Sequence, residues 1–204
     1  MDFSKVSIDL ICDGLPGITY VIDLHGKIVY YGKKAWNRFA LDNDEPNLVD
    51  ASNVINKSIF DFIDGDEVKD IYRLYHQVLL QKRLNQVNFF YNCDSPDMVR
   101  DMFLSISPIS MEGEIVGFLY HSLVLKEQLR PPVSLFTKRD NDSLPIITIC
   151  SFCKRIDGHN KVGSKGWVTA EKYYQLGGSS QVSLSHGICP DCIEKHVYSF
   201  QVFT

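Results

Sequence analysis

Four cysteines near the end of the chain are spaced like the ligands of one metal ion. They form two pairs, each with two residues between its members: Cys150, Cys153, Cys189 and Cys192. A two-residue gap lets one tight turn direct both sulfurs to the same ion, and the second pair completes a tetrahedron. Zinc is the usual occupant. The sequence therefore predicts a closed four-cysteine site in which zinc stabilises the fold.

Histidines near these pairs are the alternative ligands. His186 precedes Cys189 by three residues, and His196 follows Cys192 by four, so Cys192 and His196 share a helix face. All-cysteine ligation is preferred because structural zinc sites are closed and four-coordinate. We then expect His186 to contact a sulfur rather than the metal. We expect His196 to be exposed and His159 to lie in a turn.

Short elements must hold the two pairs in place. A β-like run over Ile146–Ile149 precedes the first pair, and Trp167, Glu171 and Tyr173 are expected on one short helix. Pro190 suits the first position of a final helix that continues through Ile193–Tyr198. Cys189 is then the N-cap of that helix. The positive helix end would favour the ionised, metal-binding form of the second pair.

The whole segment 148–198 resembles a small module that recurs in bacterial signalling proteins, often beside PAS or receiver domains. The matching pattern is Cys-Ser-x-Cys-Lys-x-Ile, then a Trp with Glu and Tyr four and six residues later, then Ser-His-Gly-Ile-Cys-Pro-x-Cys. The resemblance implies a role in signalling and does not imply a mechanism.

The first two thirds of the chain predict an α+β fold with an antiparallel five-stranded sheet. Two β-rich runs flank a His-Gly turn, and short helical pieces and an amphipathic helix from Asp66 to about Lys82 follow. Three further strands are predicted. The five predicted strands are Ile18–Asp23, Lys27–Tyr31, Gln86–Asn92, Met98–Ser107 and Glu114–Leu125.

This order of elements resembles the PAS sensory domain over residues 12 to 126. The similar parts are Tyr-Val-Ile-Asp in the first strand, the His-Gly hairpin, Trp36-Asn37-Arg38-Phe39, and Ser58–Ile63 before the long helix. The resemblance implies a domain that senses a small ligand or redox state, or that dimerises and relays. It does not identify the ligand.

Three parts of the chain are predicted: a PAS-like domain over 1–126, a linker over 127–145 and a zinc-ribbon-like module with the four cysteines over 146–204. The linker contains Pro131-Pro132 and a polar run without apolar periodicity. The apolar residues of Phe3–Cys12 predict an N-terminal helix that pairs chains into a homodimer.

Composition limits the function classes. The net charge is −4. Residues 146–204 carry six Lys/Arg and four Asp/Glu, and the rest of the chain carries fifteen Lys/Arg and twenty-one Asp/Glu. Because the larger part is acidic, binding to nucleic acid is not expected. Neither a bilayer-spanning run nor a secretory signal is visible, which favours the cytoplasm and no membrane partner. Cys12 and Cys93 are interpreted as small buried hydrophobes.

The favoured function is a non-enzymatic bacterial signalling protein that binds a small ligand or partner and relays by protein contacts. One alternative is an iron site for electron transfer, since the paired cysteines also resemble rubredoxin. Rubredoxin usually has glycine where this chain has Lys154 and Ile193. A zinc-ribbon regulator that binds nucleic acid is the other alternative. His76 as a haem ligand is disfavoured, because it lies on the flank of its helix.

Overall fold

The computed structural model describes residues 6–136, 144–159 and 166–198. In this part of the chain the helices are α1 (Ile8–Gly14), α2 (Lys33–Asp42), α3 (Asp66–Leu80), α4 (Ala170–Gln175) and α5 (Pro190–Ile193), with short 3-10 turns at Pro46–Val49, Ala51–Asn53, Ile59–Phe62 and Ser134–Phe136 and a π-helical turn at Glu194–Tyr198. The strands are β1 (Ile18–Asp23), β2 (Ile28–Tyr31), β3 (Val87–Asn92), β4 (Met98–Met111), β5 (Glu114–Leu129), β6 (Ile146–Cys150), β7 (Ile156–Asp157), β8 (Trp167–Val168) and β9 (Ser183–Gly187).

Two compact units divide the chain. The first comprises Met1–Ile63, Leu74–Phe89 and Phe103–Val124, and the second comprises Asp64–Arg73, Phe90–Met102 and Leu125–Thr204. Helix α3 and strands β3, β4 and β5 therefore each contribute residues to both units. The three-part division predicted above follows chain order only and stays a prediction.

The larger sheet has five strands in the order β2-β1-β5-β4-β3. Strands β1 and β2 pair antiparallel, and β1 also pairs antiparallel with β5, with Tyr20 opposite Tyr120. The β1–β2 turn contains Gly26 at φ +79°, a left-handed conformation that glycine adopts without steric cost. The predicted α+β class and the β1–β2 hairpin are confirmed.

Helical elements occupy the chain between β2 and β3, as predicted. Ser58 caps the short turn Ile59–Phe62 by accepting a hydrogen bond from the Phe60 amide. Helix α3 buries the apolar stripe expected from its periodicity: Val68, Ile71, Tyr75, Val78 and Leu79. The helix ends at Leu80, two residues before Lys82, which adopts φ +55° and so cannot continue it.

The first unit has an apolar core between its helices and its part of the sheet. Its most buried members come from β1, β2, α3 and the strands that return after the helices. They are Ile22, Ile28, Tyr75, Leu79, Val87, Ile106, Phe118 and Tyr120, with exposures of 0–1%. At roughly 1.5–3 kcal/mol for each fully buried large apolar side chain, this core favours the sheet–helix packing strongly.

The second sheet lies in the second unit and has the order β8-β7-β6-β9. Strands β6 and β9 are parallel, whereas β6–β7 and β7–β8 are antiparallel. The prediction that Trp167 lies on the same helix as Glu171 and Tyr173 is wrong: Trp167 is in β8. Helix α4 starts only at Ala170, because Thr169 adopts an extended conformation and caps the helix through the Lys172 amide.

The span predicted as a linker is partly structured. Strand β5 continues through Leu129, and the buried side chains of Val133 and Leu135 belong to the core of the second unit with Ile147, Ile156 and Tyr173. Residues 137–143, which carry the polar run, lie outside the described residues.

The predicted N-terminal helix is present as α1. Ser7 caps it by accepting a hydrogen bond from the Leu10 amide, and Cys12 is its buried residue. Phe3, where the predicted helix begins, lies outside the described residues.

Candidate metal centre

The first cysteine pair is formed where β6 ends. Cys150 is the last residue of the strand, and its amide donates to the Arg155 carbonyl oxygen at 2.7 Å. The Lys154 amide donates back to the Cys150 carbonyl oxygen at 2.9 Å, which closes a tight turn around Cys153. Lys154 adopts φ +57° in this turn. The turn thereby brings both sulfurs of the pair to one side.

The second pair is formed at the start of α5, as predicted. Cys189 has the extended conformation of an N-cap, and Pro190 occupies the first helical position. The Cys192 amide donates to the Cys189 carbonyl oxygen at 2.9 Å. These bonds hold Cys189 and Cys192 on one turn of backbone.

The two pairs meet because β6 and β9 run parallel. Cys150, at the end of β6, is opposite Gly187, at the end of β9, and the Ser151 amide donates to the Gly187 carbonyl oxygen at 3.0 Å. When two parallel strands end in register, the residues that come directly after each strand lie at the same edge of the sheet. The second pair begins two residues after Gly187, so both turns lie at that edge.

The four sulfurs form one cluster, with every pair of ligand atoms within 4.8 Å. The sulfurs of Cys153 and Cys189 are 3.6 Å apart. A tetrahedral ion with metal–sulfur bonds of about 2.3 Å requires sulfur–sulfur distances of roughly 3.8 Å. The donor set and its spacing therefore fit a thiolate-bound metal ion. Cys150, Cys189 and Cys192 are buried, and Cys153 is partly exposed.

Backbone amides and neighbouring thiols favour negative charge on one sulfur of this cluster, that of Cys150. The pKa of Cys150 is lowered, first because the Cys153 and Cys192 thiols hydrogen-bond to its sulfur and then because the Cys153 and Cys189 amides donate to it. The Cys189 amide lies 3.4 Å from the Cys150 sulfur. The same sharing of protons raises the pKa of Cys153 and of Cys192. A cation that replaced these protons would let all four sulfurs ionise.

One cation spans both pairs. Arg155 Nη1 lies 2.9 Å from Asp191 Oδ2. Arg155 follows the first cysteine pair by two residues, and Asp191 lies between the two cysteines of the second pair, so this contact joins the two turns. The pKa of Arg155 is raised, first by this hydrogen bond to Asp191 and further by the negative charge of Cys153 and Cys189. The sequence patterns above did not single out this arginine. Its position directly after Cys153-Lys154 was the available clue, because thiolate-rich sites need nearby positive charge.

The nearby histidines are not members of the sulfur cluster. Among the described residues, the group of close metal-ligating atoms contains cysteine sulfurs only. His186 lies on β9, and burial lowers its pKa. His159 has the local contacts expected of a turn residue, since its amide and ring both contact the Asp157 carboxylate.

The expectation that His196 is exposed is wrong. Its side chain is buried, and its ring stacks on Phe152 with 3.9 Å between centroids. Phe152 lies between the two cysteines of the first pair, so the stack joins the first turn to the last helical segment. Burial lowers the pKa of His196 to about 4, which keeps the imidazole neutral at neutral pH.

Aromatic and polar groups also meet inside the first unit. His76 hydrogen-bonds Tyr120 Oη at 2.6 Å and stacks on Phe118 with 4.4 Å between centroids. Burial lowers the pKa of His76 to about 4, so this ring is neutral. The side-chain oxygens of Tyr31 and Asn37 are buried and have no hydrogen-bond partner in the described part of the chain.

Comparisons with known proteins give matches among solved structures. Neither a protein-family model nor a curated protein matches the chain. Among solved structures, the PAS domain of BvgS from Bordetella pertussis is similar at 16% identity and TM-score 0.47, covering 58% of this chain and 84% of that domain.

Two further solved structures are similar. A sensory box sensor histidine kinase from Vibrio cholerae has 14% identity and TM-score 0.40, covering 57% of this chain and 87% of that one. The Vibrio VqmA–ligand–DNA complex has 17% identity and TM-score 0.42, and the match covers 60% of this chain and 53% of the VqmA chain. The predicted α+β fold with a five-stranded sheet is confirmed by the structure itself. No helix in the described residues is long and apolar enough to cross a membrane.

Proposed function

We propose that this chain is a non-enzymatic signalling protein of bacterial type, in which a PAS-like domain receives a small ligand or partner and a four-cysteine site holds a structural zinc ion. The observation that carries the metal assignment is the convergence of four sulfurs within 4.8 Å at one edge of a small sheet. Cys150, Cys153, Cys189 and Cys192 would be the ligands.

A structural role is favoured over a catalytic one by the donor set. A catalytic zinc keeps one coordination position open for water or substrate, whereas four convergent thiolates close the coordination sphere. Binding of a structural zinc ion can supply on the order of 10–16 kcal/mol to a small domain. The sheet that carries the cysteines includes two strands of only two residues each, β7 and β8, and these two strands contribute few backbone pairs.

A small ligand in the first unit is supported by two buried polar atoms, one on Tyr31 and one on Asn37. The Tyr31 ring lies 5.5 Å from the Trp36 ring, and Tyr31 Oη and Asn37 Oδ1 have no partner among the described residues. Buried polar atoms are normally hydrogen-bonded, and a ligand with polar groups would satisfy them. The PAS-like fold around them is consistent with a sensory role.

Output through a homodimer is supported by α1. Its Leu10 and Ile11 side chains are 62% and 52% exposed, which is unusual for two adjacent large apolar residues on one short helix. Light scattering over a concentration series tests this part of the proposal. Association should weaken in Leu10→Ser, and a wild-type protein that stays monomeric throughout would contradict it.

Native mass spectrometry with elemental analysis of the untreated protein tests the metal assignment. One zinc per chain is expected, and Cys189→Ser should lose it, whereas the matched control Cys93→Ser should retain it. Iron in place of zinc would favour the electron-transfer alternative. A protein that contains no metal and takes up none when zinc is added would overturn the site itself.

A further inference from the structure

A cleft in the second unit opens beside the sulfur cluster. It has a volume of about 180 Å³, room for several water-sized molecules, and the one cysteine in its lining is Cys153. Val99 and Thr169 also line it. The charged residues in its lining are three cations, Arg130, Lys154 and Arg155, and two carboxylates, Asp94 and Glu171. The cleft therefore reaches the cluster at Cys153, the one cluster cysteine that is not fully buried.

The remaining sulfurs are shielded from solvent. Cys150, Cys189 and Cys192 are 0%, 1% and 4% exposed, respectively, whereas Cys153 is partly exposed. The Cys153 sulfur is also 3.6 Å from that of Cys189, on the other turn. An attacked Cys153 would thus have a second thiolate within reach.

We propose that Cys153 is a modification site, the cluster sulfur that hydrogen peroxide oxidises first. This rests on the proposed metal site. The Cys153 thiolate attacks one peroxide oxygen, the O–O bond breaks, and hydroxide leaves, so Cys153 becomes a sulfenic acid. The Cys189 thiolate then attacks the Cys153 sulfur, the S–O bond breaks, and a second hydroxide leaves.

The balance of this reaction is two thiolates and one hydrogen peroxide giving one disulfide and two hydroxide ions. Two electrons pass from sulfur to peroxide oxygen. The metal ion loses two of its four ligands and is released, because a site with two remaining thiolates no longer encloses it. Oxidation of the one partly exposed ligand, Cys153, therefore leads to loss of the structural metal.

The test uses the full-length, zinc-loaded wild-type protein with a small excess of hydrogen peroxide. Samples are quenched over time with N-ethylmaleimide and mapped by peptide mass spectrometry, while released zinc is followed with a chromogenic chelator. Cys153 should be the first cluster cysteine oxidised, in a disulfide with Cys189, and zinc should appear at the same rate. A first cluster disulfide that lacks Cys153 would overturn the proposal, and a Cys150–Cys153 disulfide would overturn the choice of Cys189.

Two variants sharpen the test. Val99→Phe, which narrows the cleft without touching a ligand, should bind zinc normally and slow its release by at least threefold. Cys93→Ser, which removes a partly exposed thiol outside the cluster, should release zinc at the wild-type rate. Equal rates for Val99→Phe and wild type would show that the cleft is not the route. If the protein binds no zinc, the metal assignment fails, while the order of thiol oxidation still tests Cys153.

Discussion

Replacing Arg155 with glutamine should weaken zinc binding at the four-cysteine site by about 10-fold, the lower end of the effect of removing a group that lies just outside the metal ligands. Arg155 touches both cysteine pairs. Its carbonyl oxygen accepts the Cys150 amide at 2.7 Å, and its guanidinium contacts Asp191 at 2.9 Å. Glutamine keeps the backbone contact and removes the positive charge.

The positive charge of Arg155 has two effects on zinc affinity: it stabilises the negative zinc–thiolate cluster, and it forms an ion pair with Asp191. Zinc with four thiolates carries a net charge of −2, which a nearby cation stabilises. The ion pair with Asp191 is partly solvated, with side-chain exposures of 35% and 59%, so it contributes at most about 1 kcal/mol, or about fivefold in affinity. Asp191→Asn should therefore weaken binding by no more than about fivefold, and loss of its negative charge offsets part of that.

Competition with a fluorescent zinc chelator at neutral pH measures the affinities of the variants. Arg155→Lys, which keeps the charge but not the planar guanidinium, should fall between wild type and Arg155→Gln. The difference between Arg155→Gln and wild type should shrink at high salt. Binding by Arg155→Gln within twofold of wild type would refute the reasoning, and so would a larger loss in Asp191→Asn than in Arg155→Gln.

Three further changes probe the rest of the structure. Asp94→Asn should lower the free energy of unfolding by about 3 kcal/mol. It removes the counter-charge of Arg130, whose guanidinium keeps its hydrogen bonds to the Ser95 and Pro96 carbonyl oxygens, and the Asp94 and Arg130 side chains are only 8% and 10% exposed. An unchanged urea midpoint would contradict this. Tyr31→Phe should raise the free energy of unfolding by about 1 kcal/mol, because it removes a buried hydroxyl that has no hydrogen-bond partner among the described residues. A lower urea midpoint in this variant would show that the hydroxyl is hydrogen-bonded. His76 has its pKa lowered to about 4, so the folded state binds fewer protons than the unfolded state, and the free energy of unfolding should fall by on the order of 3 kcal/mol as pH drops from 6.5 to 4. His76→Gln should reduce that fall in pH-dependent denaturation, and an identical slope in both proteins would argue against it.

Features with local causes were predictable from the sequence. The two-residue gap in each cysteine pair requires a tight turn, and Pro190 can start a helix because its missing amide is not needed there. The apolar period of α3 and the glycine at the β1–β2 turn are likewise set by neighbouring residues. For these elements the pattern and the structure agree to within about two residues.

Features that depend on distant partners were not predictable. Strand β9 has the sequence Ser-Leu-Ser-His-Gly, which lacks a convincing apolar run, and it forms by parallel pairing with β6. His196 looked exposed because its covering ring, Phe152, comes from the other cysteine pair. Val133 and Leu135 follow adjacent prolines, and only the core they enter shows why they are apolar.

The lysine after the first cysteine pair bears on the choice between zinc and iron. Rubredoxin-like turns usually have glycine there, and Lys154 adopts the left-handed φ of +57° in its place. That conformation costs a non-glycine residue roughly 1–2 kcal/mol, and the hydrogen bond from Lys154 Nζ to the Ser151 carbonyl oxygen offsets part of it. The turn still forms the amide bond that closes it, from Lys154 to Cys150. Because this turn closes without glycine, Lys154 alone does not exclude iron, and iron found by elemental analysis would overturn the zinc assignment.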